Sequence, residues 1–163
     1  TNKQKLENMN ELILSKLEVE KVEVAELVLS GVQTLGDALG TISDNVSYVN
    51  FNADATGSRV ITMPAAIRGR NFRAFWSVEQ ATSDRVFTRA GTDTFEGNIF
   101  TAVAGNAAGD GDVVAIANTI VAITVVDDVN IGSYIDFFCM ADGRWSVVGH
   151  LVLSAVGVVP TLA

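Results

Sequence analysis

Thr56–Trp76 reads Thr-Gly-Ser-Arg-Val-Ile-Thr-Met-Pro-Ala-Ala-Ile-Arg-Gly-Arg-Asn-Phe-Arg-Ala-Phe-Trp: a strand, a turn and a second strand. Val60, Ile61 and Met63 form a β-prone run, and Pro64 ends its ladder because it has no N–H to donate. Ala65, Ala66, Ile67, Arg68 and Gly69 carry the chain around a corner. Phe72, Ala74 and Trp76 then alternate with Asn71, Arg73 and Phe75, the period of a strand with one face buried. The later sequence reads as further strands packed against this pair. The stretch holds no catalytic constellation, so the work expected of it is architectural.

Outward from this pair the same grammar continues. Upstream, Val46, Tyr48 and Phe51 mark a strand, followed by the turn cluster Asn52–Ser58. Downstream, Arg85–Arg89 alternates and stops at Ala90-Gly91, and Thr92–Ile99 carries Phe95. Thr101–Gly111 is small and glycine-rich, a loop. Val113–Ala117 and Asn118–Val126 are β-branched runs. Ser133–Met140 and Trp145–Leu153 flank Ala141-Asp142-Gly143-Arg144, whose Asp-Gly pair is a strong hairpin signal. Val156–Ala163 is a short apolar tail. About eight short strands at regular spacing, without βαβ alternation, predict a mainly β fold: an antiparallel sandwich or jelly-roll-like barrel.

The first residues differ. Leu6, Met9, Ile13 and Leu17 recur three or four apart, which predicts a helix from about Lys3 to Leu17. Leu17–Val24 is β-branched and partly alternating, a strand or an extended arm. The helix either lies on its own domain or joins subunits as an arm or short coiled coil. Gly31, Gly36 and Gly40, with Asp37, Asp44 and Asn45, make Ser30–Asn45 a hinge. The expected division is residues 1–45 as helical arm and hinge, and residues 46–163 as β domain.

Hydrophobic residues make up 48% of the 163, enough for a sizeable core. A net charge of −8 argues against nucleic acid and against anionic membrane surfaces, both of which need clustered Lys and Arg. No run approaches the roughly 18 apolar residues needed to span a bilayer, and no apolar leader is visible at the start. A soluble chain is expected.

Residues for chemistry are scarce. His150 is the one histidine and Cys139 the one cysteine. His150 sits in an apolar strand with no Gly-x-Ser-x-Gly elbow to pair with, so it reads as a strand-face residue. Cys139, in Phe-Phe-Cys-Met, reads as a buried small hydrophobe. One Cys and one His cannot close a zinc site. Gly109-Asp110-Gly111-Asp112 and Asp127-Asp128 lack the EF-hand pattern and read as turn acids. Nucleotide-binding glycine motifs are absent. Paired carboxylates for glycoside hydrolysis are left open by composition, though no acid stands out. No enzyme, cofactor or metal site is predicted. Trp76, Trp145 and Tyr134 are either core or interface anchors, or a platform for a sugar. Arg68, Arg70 and Arg73, with Asn71, cluster at the central corner as a solvated turn or a docking point for an acidic partner.

Three segments resemble small β-structured virion proteins of tailed bacteriophages. Val60-Ile-Thr-Met-Pro-Ala-Ala-Ile-Arg-Gly69 resembles their valine–threonine–leucine–proline–alanine–alanine corner. Thr88-Arg-Ala-Gly-Thr-Asp-Thr-Phe-Glu-Gly97 is similar to their threonine–alanine–glycine–aspartate–threonine–isoleucine–glycine segment. Gly132–Gly149 looks like their last hairpin, where an Asp-Gly turn precedes a Trp strand. In this order the segments cover roughly Val46–Leu153. The helix at Lys3–Leu17 and the heavily aromatic Phe72–Trp76 strand depart from the pattern. The resemblance implies a capsid decoration (cement) protein, a head fibre or a tail-fibre module. For a decoration protein it implies a homotrimer that binds the major capsid protein at the capsid surface, is made in the host cytoplasm and has no enzymatic activity. The candidate interface is then Leu6, Met9, Ile13 and Leu17 of the arm, with Arg68, Arg70 and Arg73 of the corner. The alternative is a carbohydrate- or receptor-binding module of a fibre.

Overall fold

A computed structural model of the chain describes residues 31–37, 39–104, 111–154 and 160–163. The helix expected over Lys3–Leu17, and with it Leu6, Met9, Ile13 and Leu17, lies outside the described residues. Within them the fold is mainly β, with no helix. The strands are β1 (Val32–Leu35), β2 (Gly40–Thr41), β3 (Tyr48–Phe51), β4 (Arg59–Thr62), β5 (Asn71–Trp76), β6 (Arg85–Thr88), β7 (Thr94–Val103), β8 (Val113–Ile120), β9 (Ala122–Val125), β10 (Tyr134–Ala141), β11 (Arg144–Leu153) and β12 (Thr161–Leu162).

They form two sheets. The larger runs β1-β3-β5-β10-β11-β7-β8 and the smaller β12-β9-β6-β4-β2. Alternation along each strand puts apolar side chains on one face, and the two apolar faces meet. Phe87 of the smaller sheet packs on Phe51 and Phe137 of the larger, at ring distances of 5.9 and 5.2 Å. Trp76, Trp145, Phe72, Phe95, Ile61 and Ile123 complete this shared core. Burying each such side chain stabilises by about 1.5–3 kcal/mol relative to exposure.

The pairing differs from the antiparallel expectation. The ladders β1/β3, β3/β5, β2/β4, β4/β6 and β7/β11 are parallel. From β1 to β6 the chain changes sheet at every connection, odd strands in one and even strands in the other. A chain that crosses over, descends and crosses back re-enters the first sheet running the same way, so strands adjacent in a sheet are parallel. Each strand of one sheet serves as the crossover for the other. The central pair is therefore not a pair: β4 and β5 lie in different sheets, and Met63–Arg70 is the corner between them. The expected hinge over Ser30–Asn45 also supplies two strands, β1 and β2, because its glycines fall at the strand margins. The hairpin expected at Asp142-Gly143 is present, joining β10 and β11, with Gly143 at φ 80°.

The β7/β11 ladder runs unbroken from Thr94↔Arg144 to Leu153↔Val103. It requires Gly97, whose φ is 136°. A Cβ there would run into the carbonyl of Val147.

Where β1, β3 and β5 end, orphan backbone groups gather around one buried cation. Arg85 is fully buried. It donates to Gly36 O (3.0 Å), Ala53 O (2.8 Å) and Gln80 Oε1 (3.1 Å), and its guanidinium lies 5.0 Å from the Phe51 ring centroid. Gln80 Oε1 also accepts from Trp76 Nε1 (3.0 Å). Burial pushes the Arg85 pKa down from its ordinary value.

Candidate partner-binding surface

The corner Met63–Arg70 is held at the opposite end of the strands. Backbone groups there cannot join a ladder, so they need other partners. The Ala66 N–H donates to Asp93 Oδ2 (2.7 Å) and the Arg68 N–H to Asp142 Oδ1 (2.8 Å). Gly69 N–H donates to Cys139 O, Gly143 N–H to Ala66 O, and Cys139 N–H to Arg70 O, each at 2.8 Å. Thr94 N–H donates to Gly143 O (3.0 Å). Asp93 lies in the β6–β7 connection and Asp142 in the β10–β11 turn. The corner Val60–Gly69, the segment Thr88–Gly97 and the hairpin within Gly132–Gly149 thus meet in one cap, each bonded to the next. Gly69 supports the turn with φ 91°.

The three arginines expected as a docking patch occupy different settings. Arg68 is exposed at the tip of the cap, beside Ile67, which is 53% exposed. It makes no salt bridge among the described residues. Arg70 donates to Ala65 O (2.6 Å) and lies 3.1 Å from Asp44 Oδ1. Arg73, on the outer face of β5, grips Asp136 with both Nε and Nη2, each at 2.7 Å. This bond holds the Arg73 pKa above its ordinary value. Internal pairing therefore neutralises Arg70 and Arg73. Arg68, with its exposed apolar neighbour, is the residue most open to a partner.

Of the two readings of Trp76, Trp145 and Tyr134, core or platform, the two tryptophans follow the first. Alternation turns Trp76 and Trp145 inward, where they are 1% and 0% exposed. The indole N–H of Trp145 has no acceptor among the described residues, a cost of about 1–3 kcal/mol that the ring's burial outweighs. Tyr134 does face outward, but the Arg73 guanidinium covers its ring at 4.2 Å. His150 is exposed on the outer face of β11, its ring 6.1 Å from that of Tyr134. Cys139 is buried, and that burial pushes its thiol pKa up, the opposite of a reactive thiolate. Among the described residues no three His, Cys, Asp or Glu side chains gather to hold a metal ion, and no helix is long and apolar enough to cross a membrane.

Sequence reasoning missed two residues. Arg85 alternates with Phe87 on one face of β6, and that pattern marks it for burial. Tyr48 was read only as part of a strand, yet it stands 48% exposed in register with Arg73. Val49 and Phe51 are two apart on the buried face, and Tyr48, at odd spacing from both, falls on the opposite face; that spacing carried the signal. Comparison with protein-family models, with curated proteins and with solved structures finds no match to this chain.

Proposed function

We propose that this chain is a structural, non-enzymatic virion protein that decorates a phage capsid and stabilises it by bridging capsid subunits as a homotrimer. We read its two sheets as a jelly-roll-like sandwich serving that role. One observation carries the proposal: the Pro-Ala-Ala corner, the Gly-Thr-Asp segment and the Asp-Gly-Arg-Trp hairpin, which carry the resemblance to virion proteins, are bonded together in a single cap. The cap presents Arg68 and Ile67 outward on a chain of net charge −8. The Arg68 guanidinium, free of a salt bridge among the described residues, suits a carboxylate on a capsid subunit, and the net negative charge of the chain discourages contact with acidic surfaces elsewhere. The mechanism is added buried area across capsomer joints, on the order of 2,000 Å² or more for a stable interface, opposing the outward pressure of packaged DNA.

Light scattering on the full chain is expected to give a trimer. Capsids carrying the protein are expected to withstand heat that opens bare ones. Arg68→Glu is expected to weaken attachment while leaving the β unit folded. Bare and decorated capsids of equal stability would remove the stabilising role.

A further inference from the structure

We infer that the outer face of the larger sheet, at Tyr48 and Arg73, is a binding site for a neutral saccharide. Tyr48 of β3 sits beside Arg73 of β5, and Arg73 beside Asp136 of β10. Hollows open on both sides of the Tyr48–Arg73 ridge. One, of about 490 Å³, includes Asn71 and Asp136 in its wall; the other, of about 460 Å³, runs over Phe75 and Tyr134. Both are shallow and open to solvent, the form of a surface subsite that covers one side of a ligand rather than a cleft that encloses it. Two adjoining hollows separated by an aromatic ridge suit linked rings that straddle it.

Charge selects the ligand class. Arg73 and Asp136 cancel each other. A phosphate or carboxylate would have to displace Asp136 from the guanidinium, on a chain of net charge −8. A cation would compete with Arg73 for Asp136. A neutral polyol meets neither obstacle. The fork engages Nε and Nη2 of Arg73. The second Nη2 hydrogen and the remaining lone pairs of the carboxylate stay unengaged among the described residues. That donor and acceptor, side by side, match a vicinal diol. The Tyr134 ring behind Arg73 holds the fork in place, so little conformational freedom is lost on binding. The exposed ring of Tyr48 offers the flat apolar surface that the C–H face of a pyranose needs. Cross-strand stabilisation accounts for Arg73, Asp136 and Tyr134 without any ligand, but it leaves unexplained an exposed tyrosine set between two hollows.

The inference is independent of capsid attachment and is tested on the full chain. Amide and aromatic NMR shifts are followed while glucose, galactose, mannose and their linear trimers are added to about 20 mM, with sialyllactose and inorganic phosphate in parallel. At least one neutral saccharide is expected to bind with a Kd on the order of 1 mM and to shift Tyr48 and Arg73 most. Tyr48→Ala should weaken it about tenfold, Tyr48→Phe should keep it, and Phe100→Ala, exposed on β7 of the same sheet, should leave it unchanged. Three results overturn the inference: no neutral saccharide bound at the top of the titration; shifts mapping away from Tyr48 or binding indifferent to Tyr48→Ala; or phosphate or sialyllactose binding more tightly than every neutral sugar. Shift mapping on the unaltered chain decides the matter even where a variant fails to fold.

Discussion

At one end of the β unit a single guanidinium collects carbonyls; at the other, two carboxylates collect N–H groups. Arg85 binds Gly36 O and Ala53 O, which follow the ends of β1 and β3. Asp93 and Asp142 bind the N–H groups of Ala66 and Arg68, which precede β5. The difference follows from the chain path. Within the larger sheet β1, β3 and β5 all finish at the same end, so the carbonyls that follow them gather there and the N–H groups that precede β5 lie at the other. A cation suits the first and anions the second. The two solutions differ in burial as well. Arg85 is sealed in the core, whereas Asp142 is exposed. The carbonyl end should therefore be the costlier one to disturb.

Arg85→Met breaks this comparison most directly. It keeps the stem and removes every donor. Two opposed effects follow: the charge no longer has to be desolvated, and the carbonyls of Gly36 and Ala53 lose their partners. A fully buried orphaned acceptor costs about 1–3 kcal/mol, and these two carbonyls are part-buried, which puts each toward the lower half of that range. With Gln80 Oε1 still satisfied by Trp76, a net loss of about 2–4 kcal/mol is expected in urea denaturation. A variant as stable as the parent, or more so, would show that desolvation outweighs the clamp.

Asp93→Ala comes next. Its bond to the Ala66 N–H is short and partly buried, so about 1–2 kcal/mol should be lost. Asp93→Asn retains an acceptor and should lose less. Asp142→Ala, at an exposed turn, should cost only about 0.5–1 kcal/mol. Hydrogen exchange at the Ala66 and Arg68 amides reads the two bonds separately. Equal losses from both variants would mean that burial does not grade the cap.

How much of this was legible follows from the same geometry. Strand positions were readable where one face is buried and the period is two. Phe72, Ala74 and Trp76 identified β5, and Trp145, Val147 and Leu151 identified β11. The Asp142-Gly143 turn was readable because a two-residue hairpin has its own backbone chemistry. Pairing direction was not. A corner such as Pro64–Gly69 has turn residues whether it folds a hairpin or passes to the other sheet. Asp93 meets Ala66 across a separation that no local window contains. The arginines read as one patch because they are close in sequence, but Asp44 and Asp136, remote in sequence, divide them. The exposed Tyr48 carried no composition signal, since one tyrosine in a strand is ordinary.

The smallest expected effect sharpens the contrast at the carbonyl end, where an exposed acid lies near the buried cation. Asp37 accepts from the Thr56 hydroxyl (2.8 Å) and N–H (3.1 Å) and from Arg59 Nε (2.8 Å). These bonds, Thr56 first, hold its carboxyl below the ordinary value of 3.8. A carboxyl whose pKa is lowered by folding adds stability above the unfolded pKa, and that stability is lost as pH falls through the folded value. Asp37→Asn should therefore be less stable than the parent near neutral pH, and the gap should shrink as pH falls below about 4. Urea midpoints across that range measure it. The carboxylate is open to water, so added salt should narrow the neutral-pH gap by weakening the Arg59 attraction. Arg85, sealed from solvent, should show no comparable salt response. A gap that stays constant with pH would mean Asp37 keeps its ordinary pKa, leaving the buried guanidinium to hold that end alone.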